Sequence, residues 1–364
     1  MEVFMTEEMN DIIVIEPEAP DPSAIEAEKK SMRRAFSRCG WSVFILTASS
    51  FVIAYLAALV IRLLYEKGIN AWDFYDHNSL YINEAIIALA IAVGTIVLLR
   101  MPKAVPEKNK ISLKTFLTIA CICFFVSWVG NIIGNAMLLL WNGITGNTVT
   151  NELAEILANI DAWQMIVCTV VLAPILEELF FRKLLIDRMN RFGEFPAIVI
   201  SGLLFGLFHQ NFSQFFYAFG VGVVLAYLYC KTGSYLLTVA LHAIFNFIGG
   251  AIPSLLSTRV LEFAEKMTEV AESENVDLVL SLFGDYAVPL LIYFIYLLII
   301  GALNITGLVL FILNIKKVVI VPSGSNLSRV EMRKAIFLNV GMLVAIAALT
   351  VLMIISLFPT GPLG

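Results

Sequence analysis

Charge is what this 364-residue chain has least of: only 15% of its residues are Asp, Glu, Lys or Arg, against roughly a quarter in an ordinary soluble domain. A soluble fold is excluded, because 59% hydrophobic residues and a mean hydropathy of +0.87 leave too little polar surface to face water. Strict apolar–polar alternation is also missing, which excludes an outer-membrane barrel. No basic domain exists and the net charge is −5, so nucleic acid is excluded as a partner. The five cysteines include no CxxC pair and mostly fall in or beside apolar runs, so they read as small apolar residues and not as a disulfide framework or zinc cage.

What is present is a series of apolar runs near the ~20 residues that cross a bilayer. They lie at about 39–65, 80–99, 111–141, 163–187, 195–210, 215–230, 235–252, 286–314 and 334–358. The expected fold is all-α, a polytopic transmembrane helical bundle of about nine spans. Its expected units are a cytosolic tail, acidic then basic (1–38), three N-terminal spans (39–141), a core (142–252), an acidic outer loop (253–285) and two C-terminal spans (286–364). Residues 1–28 carry nine acidic side chains and no Lys or Arg; with Pro17, Pro20 and Pro22 they read as a mobile tail. Asn151 to Trp163 reads as an interfacial amphipathic helix, with Leu153, Ile156, Leu157 and Ile160 on one face.

Basic residues test the span count, because correct crossings put Lys and Arg on alternate sides. With the N-terminus cytosolic, 20 of the 24 basic residues fall on inner ends and loops. The expected topology is therefore N-terminus inside and C-terminus outside, and a bacterial plasma membrane is the simplest location. The fifth and sixth runs are short, which implies local thinning or a watery recess.

Ionisable groups inside a membrane are costly and need a reason. The fourth run holds three in six positions, Glu177, Glu178 and Arg182. Glu178 and Arg182, at i, i+4, have the spacing of a self-neutralising pair. Glu177, ~100° around the helix, has no local partner. Two of the chain's three histidines are also intramembrane: His209, following Phe205 by four, and His242, sharing a helical face with Asn246. At ~1.5 Å per residue, Glu177, His209 and His242 lie about 16, 20 and 12 Å from the inner ends of their runs, so they can share one layer. A carboxylate, two imidazoles and an amide at one depth suit hydrolysis, with one group taking a proton from water and others bonding an oxyanion. Pro174 should kink the helix just before the carboxylates. In the third run, Gly130 and Gly134 read as a close-packing pair, and Ser127, Asn131 and Asn135 share a face that reads as packing first and cavity lining second.

The three motifs Glu177-Glu178-x-x-x-Arg182, Phe205-x-x-x-His209 and His242-x-x-x-Asn246, in this order over about 163–252, resemble those of the CAAX-processing (type II prenyl endopeptidase) and bacteriocin-processing intramembrane protease family, also called CPBP or Abi. The resemblance implies an intramembrane endopeptidase acting on a peptide or lipidated protein in the bilayer. In that reading Glu177 activates water with His209 helping to hold it, His242 and Asn246 stabilise the oxyanion, and Glu178 and Arg182 shape the site. Either no cofactor or a divalent metal such as zinc is implied, with Glu178, His209 and His242 as the candidate ligands. HExxH, GxSG and GxGD signatures are absent, which disfavours zincin, rhomboid-type and presenilin-type chemistry. The alternative is a non-proteolytic binding or immunity protein of the same fold. A proton-coupled transporter would show repeated halves, and none is visible.

Overall fold

The computed structural model describes residues 3–4, 13–14, 21–146, 149, 161–271 and 276–358. Apart from a two-residue antiparallel pairing of Val3–Phe4 with Ile13–Val14, its elements are helical. They are α1 (Pro22–Glu66), α2 (Ala71–Thr95), α3 (Leu113–Thr145), α4 (Ala162–Phe192), α5 (Glu194–Phe208), α6 (Phe212–Thr232), α7 (Tyr235–Asn246), α8 (Ile252–Ala271), α9 (Val276–Asn314), α10 (Arg329–Phe337) and α11 (Val340–Ile355). Seven helical stretches are long and apolar enough to cross a membrane, an eighth arises if α10 and α11 count as one bent span, and the 15-residue α5 is a shorter apolar helix. Each of the nine apolar runs of the sequence is thus mainly helical, the last of them divided between α10 and α11.

Two boundaries differ from the sequence reading. Pro22 does not break a helix; it starts α1, with Asp21 capping the Ser23 amide at 2.9 Å, since proline is preorganised for the first helical position. The helix continues through the basic stretch because Met32, Ala35, Phe36 and Cys39 recur at helical spacing and are buried. The expected outer loop 253–285 is largely a helical hairpin of α8 and α9. Phe263 packs on Phe283 with ring centroids 5.2 Å apart, and Lys266 and Glu262 both hydrogen-bond the Tyr286 hydroxyl. The amphipathic segment expected at 151–163 falls outside the described residues up to 160.

α5 and α6 form a central antiparallel pair. α4 and α7 lie against it, α1, α2 and α11 on one side, and α3 with α9 on the other. The close approach of α3 to α6 depends on its two glycines: a Cβ on Gly130 would stand 2.5 Å from Tyr217 Cα, and one on Gly134 would stand 2.4 Å from the Ser213 carbonyl oxygen. The close-packing reading of this pair holds, while Asn131 and Asn135 are exposed and bond each other, so they line no cavity. Gly130→Ala is expected to destabilise the protein by about 1–3 kcal/mol through overpacking. Thermal unfolding in detergent checks this, and an unchanged midpoint would mean α3 can retreat freely.

The loop ends that frame the site are tied down by side chains. Asn211 caps α6 through the Gln214 amide at 3.2 Å, and Ser234 caps α7 through Leu237 at 3.4 Å. Buried Arg188 closes the far end of α4, donating to the carbonyls of Leu98 (2.9 Å) and Leu184 (2.7 Å). Asp187 accepts from the Tyr229 hydroxyl at 2.8 Å.

Candidate active site

α4 is not a regular α-helix. It runs through a π-helical stretch at Ile166–Leu172, an α turn at Ala173–Glu178 and a second π stretch at Leu179–Ile186. π turns are rare and recur at functional sites. A third, Phe247–Ala251, follows α7 directly.

The α turn carries the two carboxylates in different environments. Glu178 is fully buried: Oε2 lies 3.0 Å from Arg182 Nε, and Oε1 accepts a hydrogen bond from His242 Nδ1 at 3.0 Å. The Glu178–Arg182 contact is charge against charge and not an aligned hydrogen bond, for neither Oε2 nor Nε has a hydrogen-bond partner among the described residues. Arg182 is held instead by donating from Nη1 to Ser201 Oγ at 3.1 Å and by lying 4.8 Å over the Phe205 ring. Ser201 Oγ in turn donates a hydrogen bond to the Phe181 carbonyl at 2.9 Å.

Glu177 points elsewhere. Its side chain is 18% exposed, and Oε2 stands 3.7 Å from His242 Nε2. His242 therefore sits between the two carboxylates, with Nδ1–H on Glu178 and Nε2 toward Glu177. This supports the expected common layer for Glu177 and His242. His209, half-buried at the end of α5, bonds the Phe205 carbonyl through Nδ1 at 2.9 Å. A carbonyl oxygen only accepts, so Nδ1 carries a proton, and in the neutral ring Nε2 is then the acceptor. Phe205 packs against both imidazoles, its ring centroid 4.9 Å from that of His209 and 5.8 Å from that of His242. The residue after His209, Gln210, has a left-handed φ of +51°, a backbone that side chains rarely adopt.

Asn246 is anchored to α4. Its Nδ2 donates to the Thr169 carbonyl at 2.8 Å. In the π register the Ala173 amide bonds Cys168, one residue further back than in an α-helix, and the next residue, Pro174, has no N–H to offer Thr169. Asn246 thus supplies the donor that Pro174 lacks. Asn246→Ala is expected to cost about 1–3 kcal/mol by orphaning that acceptor. Pro174→Ala restores a backbone donor, so the Asn246→Ala cost should shrink in that background. A double-mutant cycle on unfolding midpoints reads the coupling, and additivity would sink the account.

The candidate metal ligands Glu178, His209 and His242 do not form a metal centre. Among the described residues no group of three His, Cys, Asp or Glu side chains is arranged to hold an ion. Glu178 Oε2 faces Arg182 and Oε1 faces His242, and Phe205 packs edge-on against both imidazoles. As placed, this donor set does not fit a metal. Sequence reasoning missed Ser201 and Thr169, whose roles depend on tertiary contact. It also passed over Glu84 of α2, close enough to Glu177 to feel its charge, which an ionisable residue within an apolar run should have flagged.

Residues 159–248, the stretch that carries these side chains, match the family described as type II CAAX prenyl endopeptidase Rce1-like. The match spans about a quarter of the chain. Two bacterial proteins are similar over a longer stretch. A Bacillus subtilis protein named as a candidate membrane peptidase, YdiL, is 24% identical over 207 residues, 54% of this chain and 83% of that protein. The membrane-embedded CAAX protease MroQ of Staphylococcus aureus is 24% identical over 212 residues, 54% of this chain and 84% of its own length. No solved structure matches. The match to the Rce1-like family covers α4 to α7, so α1 to α3 and α8 to α11 lie outside it.

Proposed function

We propose that the chain is an intramembrane endopeptidase that cleaves a membrane-associated or lipidated peptide with water activated by Glu177. The observation that carries the reading is the division of labour between adjacent carboxylates. Glu178 is locked between Arg182 and His242 Nδ1, while Glu177 is partly open and faces His242 Nε2 at 3.7 Å. That separation suits a water held between the two atoms.

Glu177 takes one proton of this water as the oxygen adds to the scissile carbonyl carbon. It then returns that proton to the amine nitrogen as the carbon–nitrogen bond breaks, so the carboxylate is regenerated. His209, with Nε2 free, helps hold the water. In its imidazolium form, with Nδ1–H held by the Glu178–Arg182 pair, His242 donates from Nε2 to the developing oxyanion, and the second Asn246 amide hydrogen is assigned there as well. The basic ends of the helices face the cytosol in this reading, which puts the N-terminus inside.

The test is hydrolysis of quenched fluorescent peptides, farnesylated and unmodified, by purified protein and its Glu177→Gln variant, each with and without chelator. Cleavage by the wild type alone, unaffected by chelator, is expected. Absence of cleavage by both would favour the non-proteolytic binding reading.

A further inference from the structure

Away from the catalytic core, the first turns of α1 carry a stripe of like charge. Lys30, Arg34 and Arg38 recur at i, i+4, i+8 and are exposed. Such neighbours repel unless an anion joins them. Among the described residues none of the three has an ion-pair partner, and neither does Arg33 beside them.

The stripe is the ridge between two clefts. One, of about 470 Å³, adds Arg33 and lies at the 63° bend between α10 and α11, where Asn339 and Val340 close it. The other, of about 480 Å³, adds Arg191 and is walled by Met101 and Pro102. Arg191 is already oriented toward it, donating to Ser31 Oγ at 3.1 Å. Volumes of this size suit a small ligand group, and guanidinium forks match phosphate oxygens in pairs.

The border of the clefts identifies the kind of phosphate. Leu338 and Val340, at the bend, are 55% and 61% exposed. Cys39, where the apolar run of α1 begins, directly follows Arg38. A cationic recess opening onto apolar surface at the edge of a membrane span fits a molecule with a phosphate and acyl chains. A soluble phosphate would make no use of the apolar border. We infer that the Lys30–Arg34–Arg38 ridge and its two flanking clefts form a binding site for the headgroup of an anionic phospholipid.

The test uses the full-length protein in detergent, with lipid retention measured by native mass spectrometry for dioleoylphosphatidylglycerol and dioleoylphosphatidylcholine. Wild type is expected to retain the anionic lipid about tenfold more strongly than the zwitterionic one, with the preference falling at high salt. Arg34→Gln/Arg38→Gln should lose the preference, whereas Lys316→Gln/Lys317→Gln, which removes equal charge from another loop, should keep it. Equal loss in both variants, or a salt-independent preference in wild type, overturns the site. Displacement of the lipid by glycerol 3-phosphate alone overturns the lipid assignment in favour of a soluble phosphate. No lipid preference in wild type, regained when the six acidic residues of 1–20 are replaced by amides, would mean that the chain's own acidic segment fills the clefts. If the arginine variant does not fold, the salt and glycerol 3-phosphate measurements on wild type still decide.

Discussion

Glu177→Gln is expected to lower kcat for peptide hydrolysis by about 10²–10⁴-fold, the range for removing a positioned general base. Glutamine keeps the shape and the hydrogen-bonding reach of the side chain, but it cannot accept and return a proton. The fold should tolerate the change, because among the described residues the only ionic contact of Glu177 is the 3.7 Å approach to His242, and its side chain is 18% exposed. The comparison that gives the experiment its force is Glu178→Gln. That substitution loosens both Arg182 and His242, so it should lower activity and stability together, whereas Glu177→Gln lowers activity alone. Steady-state kinetics and unfolding midpoints on the same preparations separate the two. Activity of Glu177→Gln within tenfold of wild type would remove Glu177 from the role of base.

Arg182→Met is expected to destabilise the protein by about 3–5 kcal/mol, because it leaves the Glu178 carboxylate without its cation in a site with no solvent exposure. Methionine approximates the length of the arginine stem, so the cost is chiefly electrostatic. The double variant Glu178→Gln/Arg182→Met removes both charges and should recover much of the loss, since an uncharged pair of similar volume carries no desolvation penalty. Denaturant or thermal unfolding in detergent reads the difference. A loss below about 1 kcal/mol in Arg182→Met would mean that water reaches Glu178.

The sequence shows these pairings unevenly, for physical reasons. The Glu178–Arg182 contact follows from i, i+4 spacing, and the shared depth of Glu177 and His242 from counting residues along their runs. Local periodicity determines both. The contact of Asn246 with Thr169 was not legible, because spacing arguments assume 3.6 residues per turn and the Ala173 amide bonds Cys168 in a wider turn. His242 was expected at the oxyanion, and spacing could not reveal that each of its nitrogens faces a different carboxylate. At the N-terminus the acidic composition hid the helix. The buried spacing of Met32, Ala35, Phe36 and Cys39 was present in the chain but obscured by the charges on the opposite face.

The wide turns of α4 bear on how the chain can change length. A π turn takes up an inserted residue locally and leaves the helix on either side in its old orientation. A one-residue deletion within the seven residues Ile166–Leu172 should therefore leave Glu177 facing His242, whereas the same deletion between Ala173 and Glu177 would put Glu178 where Glu177 stood and Leu179 in the buried place of Glu178. Insertions and deletions among homologous chains should accordingly collect in the first stretch and be absent from the second.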